Sequence, residues 1–277
     1  RGGIHFFDDQ VRQTLEGRAE MANRLLNAVR TEQFVQVYQP QMNASGQVAG
    51  VEALIRWEDE YLGTVSPATF IPLAETLHII VDIDRWVLDR ACQTAGVWHS
   101  DPTLQDVPIS VNVSGEYFSM KGFINEVKAT VEKHQADPAQ IMIELTEGTL
   151  IRESEANQEN IAQLHRLGFK VAIDDFGTGN SSLSYMRRFN VDQLKIDQSF
   201  VRDMLIDERS LAIVEFIIKL ATSLEYNTLA EGVETTEQHA KLVALDCTLF
   251  QGYLFSKPLP LEDCEHFIKT HNTPRMN

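Results

Sequence analysis

The chain has 277 residues, 43% of them hydrophobic and 23% charged, an ordinary balance for a folded water-soluble protein and a length that one α/β barrel can fill. With 40 acidic against 24 basic residues the net charge is −16. That surplus argues against binding a nucleic-acid polymer or docking on an anionic membrane, although bound cations would let an anionic ligand approach locally.

Residues 11–33 are helical in pattern, with Val11, Leu15, Ala19, Ala22, Leu25, Leu26 and Val29 recurring three and four apart. The ten residues before them, RGGIHFFDDQ at the start, lack a leader pattern and read as a domain boundary. Strand and helix signals then alternate, and short β-rich runs begin near residues 34, 48, 107, 141, 170, 191, 227 and 248. Asn43, Ser45 and Gly46 mark a turn between the first two runs, which should pair as an antiparallel hairpin. Ser66-Pro67 opens a helix, and Ile83, Trp86, Val87, Ala91, Ala95 and Trp98 form the apolar stripe of the next one. Gly168 ends a helix before a strand, and Thr235 with Gln238 reads as a capping box. Strands separated by helices should be parallel. The expected fold is therefore α/β, a TIM-type (β/α)8 barrel with one antiparallel strand, whose chemistry sits at the C-terminal strand ends. The most apolar run, LAIVEFIIKLA, is broken by Glu215 and Lys219 and falls short of the ~18 residues of a spanning helix. Cys92, Cys247 and Cys264 form no C-x-x-C pair and read as reduced thiols of a cytosolic compartment.

Each predicted strand carries a polar residue where an apolar one is expected: Gln39, Glu52, Asn112, Glu144, Asp174, Lys195, Glu231 and Gln251. A buried carboxylate costs several kcal/mol unless it is paired or metal-bound, so eight such positions in register imply one shared polar site. Glu52, Glu144, Asp174, Asp175 and Glu231 at a common barrel mouth would repel one another. Hard divalent cations such as Mg²⁺ or Mn²⁺ resolve that repulsion, with Asn112 adding a neutral oxygen and the Asp174-Asp175 pair suited to bridge two ions. The eight histidines form no H-x-H or H-E-x-x-H pair, which disfavours a zinc hydrolase. Lys195 reads either as a buried ion-paired lysine or as a cation that holds water or neutralises a phosphoryl oxygen. Arg56, four residues after Glu52 on the same strand face, reads either as a phosphate clamp or as a surface partner of Glu58 and Asp59. Glu147 reads either as an exposed cap of the next helix or, turned away from Glu144, as a brace for the Gly-rich segment DFGTGNSS (175–182), which reads as a mobile loop with a helix cap at Ser181 or Ser182.

The motifs YQP (38–40), EALIRW (52–57), SVNVS (110–114), ELTEG (144–148), DDFGTGNSSLSYM (174–186), LKID (194–197), AEGVET (230–235) and QGYLFSKPL (251–259) stand in one collinear series. In these the chain resembles the EAL domain of bacterial cyclic-di-GMP phosphodiesterases, from about Phe34 to Phe267. The resemblance implies hydrolysis of cyclic di-GMP to the linear dinucleotide pGpG in second-messenger signalling, with two Mg²⁺ or Mn²⁺ ions per site; Ca²⁺, with its longer bonds and looser shell, is expected to inhibit. It implies Glu52, Asn112, Glu144, Asp174, Asp175 and Glu231 as metal ligands and Glu231, Lys195 and Glu52 as catalytic. It further implies Gln39, Leu54, Arg56, Asp197, Glu234 and Gln251 as substrate contacts, and Glu147 as the loop brace. Where the family usually carries Tyr in its Gly-rich loop, this chain has Asn180. Residues 1–33 resemble the tail of an upstream GGDEF domain and a connecting helix, with residues 34–277 forming the EAL barrel. The resemblance also implies a homodimer in the cytoplasm, compatible with inner-membrane anchoring of a longer protein but without membrane contact by this segment. The alternatives are a non-catalytic cyclic-di-GMP receptor, which product formation would separate from the enzyme, and an aldolase-like barrel with Lys195 as Schiff-base nucleophile.

Overall fold

The computed structural model describes residues 9–151, 155–178 and 189–273. The expectations for Asn180, Ser181, Ser182 and most of the Gly-rich loop lie outside them. The chain divides into two compact units, residues 1–35 with 55–83, and residues 36–54 with 84–277.

In the first unit, α1 (Asp9–Thr31) buries Leu25 and Ala28. The far half of β2 (Val48–Asp59) pairs antiparallel with a short β3 (Gly63–Val65), an element absent from the sequence reading. At three residues, β3 is too short to show a periodic signal. Helix α2 (Pro67–Thr76) starts after Ser66 with Pro67 in its first turn, as expected, although the Ser66 side chain makes no capping bond. Trp57 packs edge-on against Phe70, ring centroids 5.9 Å apart, and Phe34 lies 6.0 Å from the same ring.

The second unit holds the barrel. β1 (Phe34–Asn43), β2, β4 (Ile109–Asn112), β5 (Ile141–Thr146), β6 (Lys170–Phe176), β7 (Gln193–Ile196), β8 (Asn227–Ala230) and β9 (Leu249–Phe250) follow the order β1-β9-β8-β7-β6-β5-β4-β2, and β1 pairs with β2 to close the ring. β1 runs antiparallel to β9, whereas β2 and β4 to β9 are mutually parallel, so the barrel has the expected single reversed strand. The reversal follows from the Asn43–Gln47 turn: Asn43 Oδ1 accepts the backbone N–H groups of Ser45 and Gln47, and Gly46 takes φ +76°.

Ile109, Val111, Ile141, Ile143, Leu145, Val171, Ile173, Leu194 and Ile196 are fully buried. Each contributes about 1.5–3 kcal/mol by leaving water. Among the described helices, α3 (Ile80–Trp98), α5 (Phe123–His134), α7 (Glu155–Leu167), α9 (Glu208–Ser223), α10 (Thr236–Ala244) and α11 (Leu261–Asn272) supply the outer ring. Short α4 (Gly115–Phe118), α6 (Glu147–Ile151) and α8 (Gln198–Asp203) follow strand ends directly. The capping box at α10 forms with both of its bonds. α7 closes at Gly168, whose φ of +97° suits a residue without Cβ. Asp192 secures the start of β6, since its carboxylate accepts Val171 N at 2.8 Å and His165 Nε2 at 3.0 Å. Burial works to raise that carboxyl, but these two bonds hold it below the usual carboxylate range. Cys92, Cys247 and Cys264 are free and buried. No described helix is long and apolar enough to cross a membrane.

Candidate active site

Lys195 stands in the middle of β7 with its side chain wholly buried. Its Nζ lies 2.5 Å from Glu144 Oε2, 2.8 Å from Glu231 Oε1, 3.1 Å from Asp174 Oδ1 and 3.6 Å from Glu52 Oε1. Three strands and the residue just past β8 thus deliver four carboxylates to one ammonium group. Burial alone would lower the Lys195 pKa, but the carboxylates, Asp174 and Glu144 foremost, hold it well above the usual lysine value. Burial pushes Glu144 up to about 8 and raises Glu231 well above an ordinary glutamate, with Lys195 opposing both shifts.

Adjacent strand residues point to opposite faces, yet Asp174 and Asp175 both lie at this site. Asp175 adopts φ +53°, and the β6–β7 register slips between Ile173 and Phe176. This bulge re-aims one side chain, so that Asp174, Asp175 and Glu231 each present a carboxylate oxygen within 4.8 Å of the others. Burial, then Asp174, then Asp197 push the Asp175 carboxyl up to about 6. Asp197 itself caps α8 through Ser199 N at 3.0 Å.

Glu52 is oriented from both sides. Its Oε1 accepts Asn112 Nδ2 at 2.7 Å and its Oε2 accepts Gln251 Nε2 at 2.5 Å. Gln251 Nε2 also donates to Gln39 Oε1 at 3.2 Å, and Gln39 Nε2 to Ser256 O at 3.1 Å. Glu231 and Gln251 were expected inside strands, but each lies one residue beyond its strand, after Ala230 and Phe250. There the pleat no longer fixes the side chain, and both reach the barrel mouth. Behind Gln251, a Cβ on Gly252 would lie 2.1 Å from Val233 O, so only glycine admits this approach.

Glu147 is the first residue of α6 rather than an extension of β5, and it is buried. Its Oε2 accepts the backbone N–H of Gly177 at 3.0 Å. The contact with the Gly-rich segment exists, therefore, but a helix start, not strand alternation, directs it.

A cleft of about 300 Å³ opens above the cluster, lined by Gln39, Glu52, Leu54, Asp174, Gln198, Glu231, Gly232, Glu234, Gln251, Gly252 and Tyr253. It brings together Gln39, Leu54, Glu234 and Gln251 of the expected substrate contacts. Arg56 belongs to the other compact unit, where its Nη1 donates to Ile55 O at 2.8 Å. Gln198, Gly232 and Tyr253 were not singled out from the sequence, nor was Gln41. The available signals were the position of Tyr253 inside the QGY motif and the two-residue spacing of Gln41 from Gln39, which places both on one face of β1.

The donor set fits divalent cations. Among the described residues Glu144 Oε1 is buried without a hydrogen-bond partner, and one lysine faces four carboxylates, a hard oxygen cage of the kind Mg²⁺ and Mn²⁺ take.

The sequence matches the EAL domain family over residues 22–258. The chain belongs to that family. It is 37% identical over 263 residues to the bifunctional diguanylate cyclase/cyclic di-GMP phosphodiesterase MucR of Pseudomonas aeruginosa, covering 95% of this chain and 38% of MucR. To the cyclic di-GMP phosphodiesterase NbdA of the same organism it is 36% identical over 272 residues, 98% of this chain and 35% of NbdA. The chain thus spans little more than a third of these relatives. The solved PaMucR phosphodiesterase in complex with c-di-GMP superposes with a TM-score of 0.85 at 37% identity, over 88% of this chain and 99% of that one. The barrel is the EAL fold.

Proposed function

We propose that this EAL domain hydrolyses one phosphodiester bond of cyclic di-GMP to give linear pGpG. Glu52, Asn112, Glu144, Asp174, Asp175 and Glu231 would hold two Mg²⁺ or Mn²⁺ ions. The observation that carries the reading is the buried Lys195–carboxylate cluster at the floor of an open cleft, on a barrel similar to one solved with c-di-GMP. When bound, the cations supply Lewis-acid stabilisation of phosphoryl charge and acidify water.

The chain's own groups do the rest. Glu231, with its proton affinity raised by burial, takes the proton of the attacking water at Oε1. Lys195, 2.8 Å from that oxygen, orients it and offsets charge gathering on the phosphoryl oxygens. Glu52, held by Asn112 and Gln251, keeps the opposite wall of the site fixed. Gln39, Leu54, Glu234 and Gln251 contact the nucleotide from the cleft wall, and Asp197 completes these contacts. Glu147 braces the Gly-rich segment that follows Asp175. The homodimer and the cytoplasmic setting belong to the same proposal, as does the origin of residues 1–33 in an upstream domain.

Incubation of the purified chain with cyclic di-GMP and Mg²⁺, followed by chromatography, tests it. Formation of pGpG is the expected result. Nucleotide that binds but stays cyclic would instead support the receptor alternative.

A further inference from the structure

Gln41 lies on β1 two residues from Gln39, only 3% exposed, and it touches no carboxylate of the site. Its Nε2 donates to Gln251 Oε1 at 3.0 Å. That bond sits at the end of a directional chain. Glu52 Oε2 is an acceptor, so the Gln251 group facing it must be the NH₂. The same NH₂ donates its second hydrogen to Gln39 Oε1, whose own NH₂ is committed to a backbone carbonyl, Ser256 O. Gln251 Oε1 is left facing away from the site, buried with its residue, and the donor it meets there is Gln41.

We propose that Gln41 is a positioning residue that locks the Gln251 amide in the one orientation that donates to Glu52. This rests on the reading of Glu52 as part of the hydrolytic site. Rotation of the Gln251 amide by half a turn would place its carbonyl oxygen against the Glu52 carboxylate and remove the bond that orients it. Without the Gln41 donor, Gln251 Oε1 is left buried and unsatisfied, so the donating orientation rests on Glu52 and Gln39 alone and the preference weakens.

The fold makes room for this side chain. A Cβ on Gly50, in the neighbouring strand β2, would lie 2.9 Å from Gln41 Oε1 and 3.3 Å from Pro108 Cγ. Gly50 carries no left-handed backbone angle, so its value here is the space it leaves for the Gln41 amide. Gly50→Ala therefore perturbs the lock by crowding the Gln41 amide, without removing any hydrogen-bonding group.

The test uses the full chain in three variants: Gln41→Leu, Gln41→Glu and Gly50→Ala. Gln41→Glu keeps the volume but sets an acceptor against Gln251 Oε1, which favours the flipped amide. Turnover of cyclic di-GMP at saturating Mg²⁺ should fall about tenfold for Gln41→Leu and further for Gln41→Glu, the scale of one lost charge-assisted bond. The loss should lie in kcat more than in KM, with thermal midpoints within a few degrees of the parent. Gly50→Ala should lower turnover in the parent background and have no added effect on Gln41→Leu, since both act through one contact. A second readout does not depend on catalysis. The two side-chain amide protons of Gln251, assigned by their loss in Gln251→Leu, should be shifted by the carboxylate in the parent and move toward free-amide positions in Gln41→Leu. Absence of hydrolysis by the parent chain would overturn the proposed function, and the amide spectrum would still decide the lock. Parent-like Gln251 resonances in Gln41→Leu and Gln41→Glu would overturn it, as would parent-like turnover in both.

Discussion

With all four of its carboxylate neighbours ionised, Lys195 would leave three negative charges uncompensated, four minus one, within 3.6 Å of its Nζ. The structure answers by raising proton affinity: Glu144 to about 8 and Asp175 to about 6, burial being the first cause of each. Acids raised on folding stabilise the fold below their unfolded values and lose that contribution as pH climbs through the folded ones. The window here runs from about pH 4 to about 8. Asp192, which is shifted down, acts only below that window. In EDTA the thermal midpoint should therefore be lower at pH 8 than at pH 6. A cation held by these carboxylates would need them ionised, so Mg²⁺ should raise the midpoint more at pH 8. An equal rise at both pH values would remove these carboxylates from the metal site. Glu231→Gln keeps the shape of the side chain and its hydrogen-bonding reach but cannot take a proton. We expect nucleotide binding to persist in calorimetry while turnover falls ~10²–10⁴-fold. A variant of near-parent rate would exclude Glu231 as the base.

At the scale of elements, the site depends on what happens just past the strand ends. β6 bulges to bring Asp174 and Asp175 to one place. β8 and β9 stop one residue before Glu231 and Gln251. β5 passes straight into α6, so that Glu147 receives Gly177 N–H at 3.0 Å. This last bond joins the β5 end to the segment that begins with Asp174 and Asp175. Glu147→Ala should leave the fold cooperative but lower turnover about tenfold, as expected for loss of a charge-assisted bond, and raise the Mg²⁺ concentration needed for half-maximal rate. A parent-like rate together with a parent-like Mg²⁺ midpoint would reduce Glu147 to a helix-start residue. The contact expected of Glu147 is present, but the start of α6 directs it, not strand alternation.

For the whole molecule, the cleft joins chemistry from residues as far apart as Gln39 and Gln251. Their side chains meet at 3.2 Å only because β1 closes the ring. A cation that bridges such a site must match its size. Mg²⁺ and Mn²⁺ should support hydrolysis of cyclic di-GMP, EDTA should abolish it, and Ca²⁺ should inhibit. Ca²⁺ prefers bonds of ~2.3–2.6 Å against ~2.0–2.1 Å for Mg²⁺. Full turnover in EDTA, or with Ca²⁺ alone, would contradict a two-ion site.

What the sequence alone determined was local or linear. Hydrophobic period and turn chemistry placed the eight barrel strands within about two residues, the antiparallel hairpin at Asn43–Gly46, and the capping box at Thr235. The collinear polar residues named the members of the cluster, because each stands in or at the end of an apolar run and needs no partner to be noticed. Tertiary structure decided how those members meet. The approach of Lys195 to Glu144, 51 positions away, and of Gln251 to Glu52, 199 positions away, depends on barrel closure and strand register, which no periodicity encodes. The same holds for the bulge at Asp175 and the role of Gln41. A hydrogen bond needs donor and acceptor within about 3 Å and in line, and only the packed strands set positions that finely.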